Sequence, residues 1–164
     1  MAVDPPMPAV HVGEQMVLTV RPLEDLSKEP EWEVYEPYGG AFLNSRGLRT
    51  TYVAPPSAGR FTLVLRSASA DGSPVKSTQV IRVLPVIQVD PSQVHLSPGG
   101  TATFAVRIKG LPRSTVNWSV EEADGGTITS DGSYTAPGHS GHFHVIATST
   151  LDPDAIAVAS VQVD

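Results

Sequence analysis

The residues best placed to do chemistry are three histidines in the run His139-Ser140-Gly141-His142-Phe143-His144. On a β-strand His142 and His144 share a face, about 6.5–7 Å apart. With Phe143 turned inward that face is solvent, and imidazoles there suit zinc or nickel, His139 joining from the turn. No carboxylate or fourth ligand stands nearby in sequence, and a sparse ligand set binds metal weakly. Asp152-Pro153-Asp154, with Asp124 and Asp131, offers calcium some oxygens, but calcium takes about 6–8, and Asp and Pro are ordinary turn formers. His142, His144, Asp152 and Asp154 stand as candidate ligands. The reading is nonetheless that the protein holds no metal and no cofactor.

Catalytic constellations are equally thin. There is no Gly-x-Ser-x-Gly elbow. Glu121-Glu122 reads as alternating across a strand, so its carboxylates diverge, and nothing sets two carboxylates around a scissile bond. The chain is read as no enzyme. A glycan platform would need exposed aromatics, and only Tyr35 and Tyr38 qualify, beside Gly39-Gly40. The net charge of −6 argues against a phosphate-backbone binder. No apolar run approaches the length of a membrane-spanning helix. With no Cys there are no disulfides or thiolate sites.

The elements that carry these residues repeat. Gly13, Val20, Trp32, Val34, Gly39 and Gly40 recur 86 positions later as Gly99, Val106, Trp118, Val120, Gly125 and Gly126. Tyr52, Ala54, Pro55, Gly59, Phe61 and Ser67 recur 82 positions later as Tyr134, Ala136, Pro137, Gly141, Phe143 and Ser149. A four-residue insertion between Gly40 and Tyr52 accounts for the change. Two homologous domains follow, 1–84 and 85–164. The alternation of Gln15–Arg21, Glu31–Glu36, Thr103–Val106, Arg60–Arg66, Gly141–Thr148, Ser73–Val83 and Ile156–Val163 is that of strands. Asp71-Gly72 and Asp131-Gly132 read as turns. The fold class is all-β, two tandem sandwiches. Each core is built on a Trp, with Trp32 facing Phe61 and Trp118 facing Phe143 from the other sheet. Leu84-Pro85-Val86 leaves little slack, so the join is expected to be short and stiff. Residues 1–9, with Pro5, Pro6 and Pro8, are expected to form an extended arm.

Val116-Asn117-Trp118-Ser119-Val120, Gly125-Gly126-Thr127-Ile128, Asp131-Gly132-Ser133-Tyr134-Thr135-Ala136-Pro137 and Gly141–Ser149 together resemble a bacterial immunoglobulin-like domain of the group 2 type. Domain 1 keeps Tyr52-Val53-Ala54-Pro55, with Ser45-Arg46-Gly47 in place of the Asp-Gly turn. The resemblance spans nearly the whole chain and implies an immunoglobulin-like sandwich. Such domains serve as spacers, adhesins, enzyme-appended modules and phage structural parts, so the fold does not supply a site.

The functional expectation is a non-catalytic structural and binding protein. The leading reading is a phage virion accessory, a head decoration or tail protein that stabilises the particle or attaches weakly to host surfaces. That reading expects a chain opening at Met1 without a leader and closing after its last strand without an anchor. The alternative is a stalk or adhesin module of a bacterial cell-surface or secreted protein. A binding module of a glycan-active enzyme ranks third. Partners are then capsid, tail or surface proteins, with cell-surface glycans and self-association within an assembly as further options, and with no nucleic acid and no membrane insertion. Contacts are assigned to Arg46 and Arg49 on the inserted loop 44–49, to Tyr35 and Tyr38, to His139, His142 and His144 around the turn 138–140, and to the arm. Residues 1–84 carry 8 basic and 9 acidic side chains, net −1, and residues 85–164 carry 3 and 8, net −5. That polarity could orient the pair on a partner. Deleting residues 1–9 and neutralising Arg46 and Arg49 is expected to weaken assembly without lowering the melting temperature.

Overall fold

The computed structural model describes residues 1–112 and 115–164. The chain divides into two compact units, Met1–Pro85 and Val86–Asp164. The described residues contain strands and turns and no helix. Unit 1 runs β1 (Ala2–Asp4), β2 (Ala9–His11), β3 (Gln15–Arg21), β4 (Glu31–Val34), β5 (Ala41–Phe42), β6 (Arg49–Val53), β7 (Gly59–Ala68) and β8 (Pro74–Leu84). Unit 2 runs β9 (Val86–Asp90), β10 (Gln93–Leu96), β11 (Thr101–Thr103), β12 (Ala105–Lys109), β13 (Val116–Val120), β14 (Thr127–Ile128), β15 (Ser133–Thr135), β16 (Gly141–Ser149) and β17 (Ile156–Val163).

In unit 1 the two sheets are β1-β3-β6-β5 and β2-β8-β7-β4. In unit 2 the second sheet, β10-β17-β16-β13, has the same order. Its partner is split into β9–β12 and β11-β15-β14, because Phe104 interrupts the strand between β11 and β12. The first strand of each unit changes sheets: its first half pairs antiparallel with the second strand, and its second half parallel with the last. Two sheets with this order and crossover make each unit an immunoglobulin-like β-sandwich.

Residues 1–9 are therefore not a free arm. Val3 pairs with Val20 across β1 and β3 and is buried, as are Pro8 and Val10. The Pro8 carbonyl accepts from Arg82 N at 2.9 Å. Three prolines and two three-residue strands hid this alternation in the sequence.

The aromatic partners also differ from expectation. β4 and β7 are neighbours in one sheet, with Trp32 opposite Leu65, so Phe61 does not face Trp32 from across the core. The same holds for Trp118 on β13 and Phe143 on β16. Phe42 on β5 meets Trp32 instead, with ring centroids 5.5 Å apart, and Phe104 meets Trp118 at 6.4 Å. These two phenylalanines are not equivalent positions. Phe42 pairs with Tyr52 where Ile128 pairs with Tyr134, while Phe104 stands where unit 1 has Leu18. One aromatic and one aliphatic side chain exchange places, which conserves core volume. Trp32 is 2% exposed and Phe143 5%, whereas Phe61 and Trp118 are half-buried.

Tyr52 and Tyr134 are the two largest of the fully buried side chains. Each hydroxyl donates to the carbonyl of the first glycine of a pair, Tyr52 to Gly39 and Tyr134 to Gly125, the latter at 2.5 Å. The second glycine, Gly40, has φ +100°, and a Cβ there would lie 2.7 Å from the Tyr52 hydroxyl. Only glycine fits both the left-handed backbone and the close approach.

Candidate functional site

The sequence candidates gather most densely on the outer face of β10-β17-β16-β13. β16 buries Phe143 and turns His142 and His144 outward. In register across the sheet lie His95, Gln162 and His142, and in the next row Gln93, Ser160 and His144. These side chains line a shallow open depression. His139 is held elsewhere. Its Nε2 lies 3.6 Å from Asp124 Oδ2, and its ring stands edge-on to Phe143 at 5.7 Å.

His144 has the company that the sequence reading missed. β13 ends at Val120, so Glu121-Glu122 lies in a turn and its side chains do not alternate across a strand. Both carboxylates converge on His144, whose Nδ1 is 2.7 Å from Glu122 Oε1 and 3.4 Å from Glu121 Oε2. One donor atom from each of the three residues lies within 4.8 Å of the others, the one such group found among the described residues. Two backbone bonds fix the arrangement. Glu121 N donates to His144 O at 3.0 Å, and His144 N donates to Glu122 Oε2 at 2.9 Å. Burial disfavours the charged form of Glu122, but the hydrogen bonds from His144 outweigh it and hold the carboxyl below its ordinary range.

Unit 1 shows which part of this is scaffold. Glu36 occupies the place of Glu122, and its carboxylate accepts from Thr62 N at 2.6 Å and Thr62 Oγ1 at 2.8 Å. Tyr35 N donates to Thr62 O at 2.9 Å, as Glu121 N does to His144 O. Glu36 is lowered chiefly by the Thr62 backbone bond. The glutamate that clamps a strand backbone is thus common to both units. The imidazole and the second carboxylate belong to unit 2 alone, replacing Thr62 and Tyr35.

The aspartates do turn chemistry. Asp152 Oδ1 accepts from Asp154 N at 3.2 Å, and Asp152 O accepts from Ala155 N at 2.9 Å. Asp131 accepts from the Thr129 hydroxyl, which holds its carboxyl low. In unit 1 Asp71 does the same for Ser69 at 2.5 Å and for Ser73 N at 2.9 Å, and its pKa falls to about 2.

In unit 1, Tyr35 and Tyr38 are 75% and 95% exposed, and Tyr38 has a left-handed φ of 64°. Tyr35 follows the last residue of β4, and its N–H donates to Thr62 O on β7. Arg46 pairs with Glu31 at 3.5 Å, both exposed, and lines a shallow hollow with Lys28 and Arg66. Such a pair adds little stability. Arg49 is not in a loop. It opens β6, opposite Thr19. Asn44 Nδ2 donates to the carbonyls of both Arg46 and Arg49, at 3.0 and 3.4 Å, and so shapes the inserted segment.

No protein-family model and no curated protein matches the sequence. Among solved structures, the fibronectin(III)-like modules of CbhA from Clostridium thermocellum align with a TM-score of 0.40 and 18% identity, over 99% of this chain and 92% of that one. The C-terminal 282-residue fragment of intimin, in complex with the intimin-binding domain of its translocated receptor, gives 0.48 and 12%, over 98% of this chain and 61% of that one. Three N-terminal domains of the highly immunogenic outer capsid protein of bacteriophage RB49 give 0.44 and 14%, over 99% and 68%. At these scores and identities the likenesses carry nothing about function.

Proposed function

We propose that this chain is a non-catalytic structural and binding protein that works through the open sheet faces of its two sandwiches, as an accessory of a phage particle. The observation that carries the binding role is the uncovered outer face in each unit. Val80 stands exposed on the β2-β8-β7-β4 face of unit 1, and Tyr35 stands exposed just past the end of β4. Ile156 and Val158 stand exposed on the β10-β17-β16-β13 face of unit 2. Exposed apolar and aromatic side chains on a rigid face are what a protein partner buries. The resemblance to bacterial immunoglobulin-like domains, which serve as phage structural parts, supports placing those faces on a virion as a head decoration or tail protein. Protein partners suit the net charge of −6 better than nucleic acid does.

Density-gradient fractionation of the source culture, with mass spectrometry for this chain, tests the proposal. Stoichiometric co-sedimentation with virus-like particles is the expected result. Recovery with cell envelopes, or inside a much longer polypeptide, overturns the virion reading and leaves a stalk or adhesin module. On the particle, Val158→Glu and Tyr35→Ala are expected to reduce occupancy.

A further inference from the structure

We infer that Glu121, Glu122 and His144 form a binding site for a zinc-class transition-metal ion on unit 2. Three properties of the cluster point there. The first is the donor set. One imidazole nitrogen with two carboxylate oxygens suits zinc and its first-row neighbours, while calcium and magnesium prefer oxygen alone. The second is geometry. Zinc–ligand bonds of about 2.1 Å give a tetrahedron with edges of about 3.4 Å. His144 Nδ1 and Glu121 Oε2 already stand 3.4 Å apart, and Nδ1 and Glu122 Oε1, at 2.7 Å, need only open slightly. The fourth position is left to water.

The third property is that the cluster is held ready before any ion arrives. Glu122 keeps its Oε2 on His144 N, the clamp seen again in Glu36 and Thr62, so Oε1 is free to turn to a metal without loss of that bond. Glu121 is tied through its own N–H to His144 O. The metal replaces the hydrogen on Nδ1, and the neutral ring then carries it on Nε2. Among the described residues the ion pairs of both carboxylates are with His144 alone. The unit carrying the cluster has a net charge of −5 over residues 85–164, and a cation relieves it.

Calorimetric titration of the full chain with zinc chloride tests this, with His144→Thr and Glu121→Tyr as variants. Both install the residue unit 1 uses at that place, and the Thr hydroxyl can keep the bond to Glu122. The expected result is one saturable zinc per chain, affinity lowered about 10-fold or more in each variant, and a zinc-dependent rise in melting temperature that both variants lose. Melting temperatures without zinc should stay close to that of the parent. Absence of saturable binding by the parent, or unchanged affinity in His144→Thr, overturns the site. His142→Ala should bind as the parent does. An equal loss there would move the ion to the His142–His144 pair and overturn the carboxylate assignment.

Discussion

Removing one oxygen from Tyr52 should cost unit 1 far more than its size suggests. Tyr52 is fully buried, and its hydroxyl is the donor to the Gly39 carbonyl. Tyr52→Phe keeps the ring and its edge-on contact with Phe42, 5.7 Å between centroids, but leaves a buried carbonyl without its donor. That costs about 1–3 kcal/mol, or about 4–24 °C in melting temperature for a unit of this length. The alkaline limb supplies an independent check. Burial, with the charge of Glu36 behind it, pushes the Tyr52 pKa up to about 12 from 10. A raised pKa means the folded state resists ionisation. The contribution of Tyr52 is therefore intact below about pH 10 and is lost as the pH climbs towards about 12. Urea unfolding of Tyr52→Phe, followed by the fluorescence of Trp32 in a Trp118→Phe background, should show the full deficit at pH 7. The gap to the parent should narrow between pH 10 and 12. A variant within about 0.5 kcal/mol of the parent at pH 7 would mean that water reaches the Gly39 carbonyl. A gap constant to pH 12 would refute the desolvation of the hydroxyl.

Deleting residues 1–8 removes β1 with buried Val3 and Pro8, and should cost unit 1 about 3 kcal/mol or more, seen as a lower urea midpoint. Phe104→Ala should cost about 3–5 kcal/mol, because Phe104 is 1% exposed and packs on both Trp118 and Tyr134. Phe61→Ala, at a half-buried position, should cost less in the same assay. Glu36 is held below its ordinary 4.5 by the Thr62 bonds, so its contribution is present above about pH 4.5 and is lost as the pH falls through the lowered value. Glu36→Gln should flatten that part of the acid limb in urea midpoints measured from pH 7 to 3.

Long, half-buried strands were legible in the sequence. Gln15–Arg21 and Ile156–Val163 alternate because one face meets the core and the other water. The first strand was not, because two three-residue pieces belong to different sheets and cannot show a period. The aromatic pairing failed for another reason. Alternation tells which side of a sheet a residue takes, but not which strand lies opposite, and Phe42 and Phe104 sit at non-equivalent positions. His142 and His144 flank buried Phe143 and take the solvent side of β16, as the alternation there predicts. The carboxylates beside His144 were missed because a run that alternates through Val120 gives no sign of ending there. The comparison that finds them is internal, Glu36 with Glu122 and Thr62 with His144, and it becomes meaningful only once the shared backbone clamp is seen.

The parallel pairing of the first and last strands sets how each unit carries mechanical load. When the two ends of unit 2 are drawn apart, β10 and β17 are pulled in opposite directions along their length. Four residue pairs, Gln93–Leu96 against Ser160–Val163, then resist together in shear, and the flanking bonds Ser160 N to Ser92 O and Asp164 N to Leu96 O share the strain. An edge that unzips would break its bonds one by one. Unit 1 has three such pairs, Ala9–His11 against Arg82–Leu84. Under a steady pull it is the unit that should yield first, leaving unit 2 folded at the end of a longer tether.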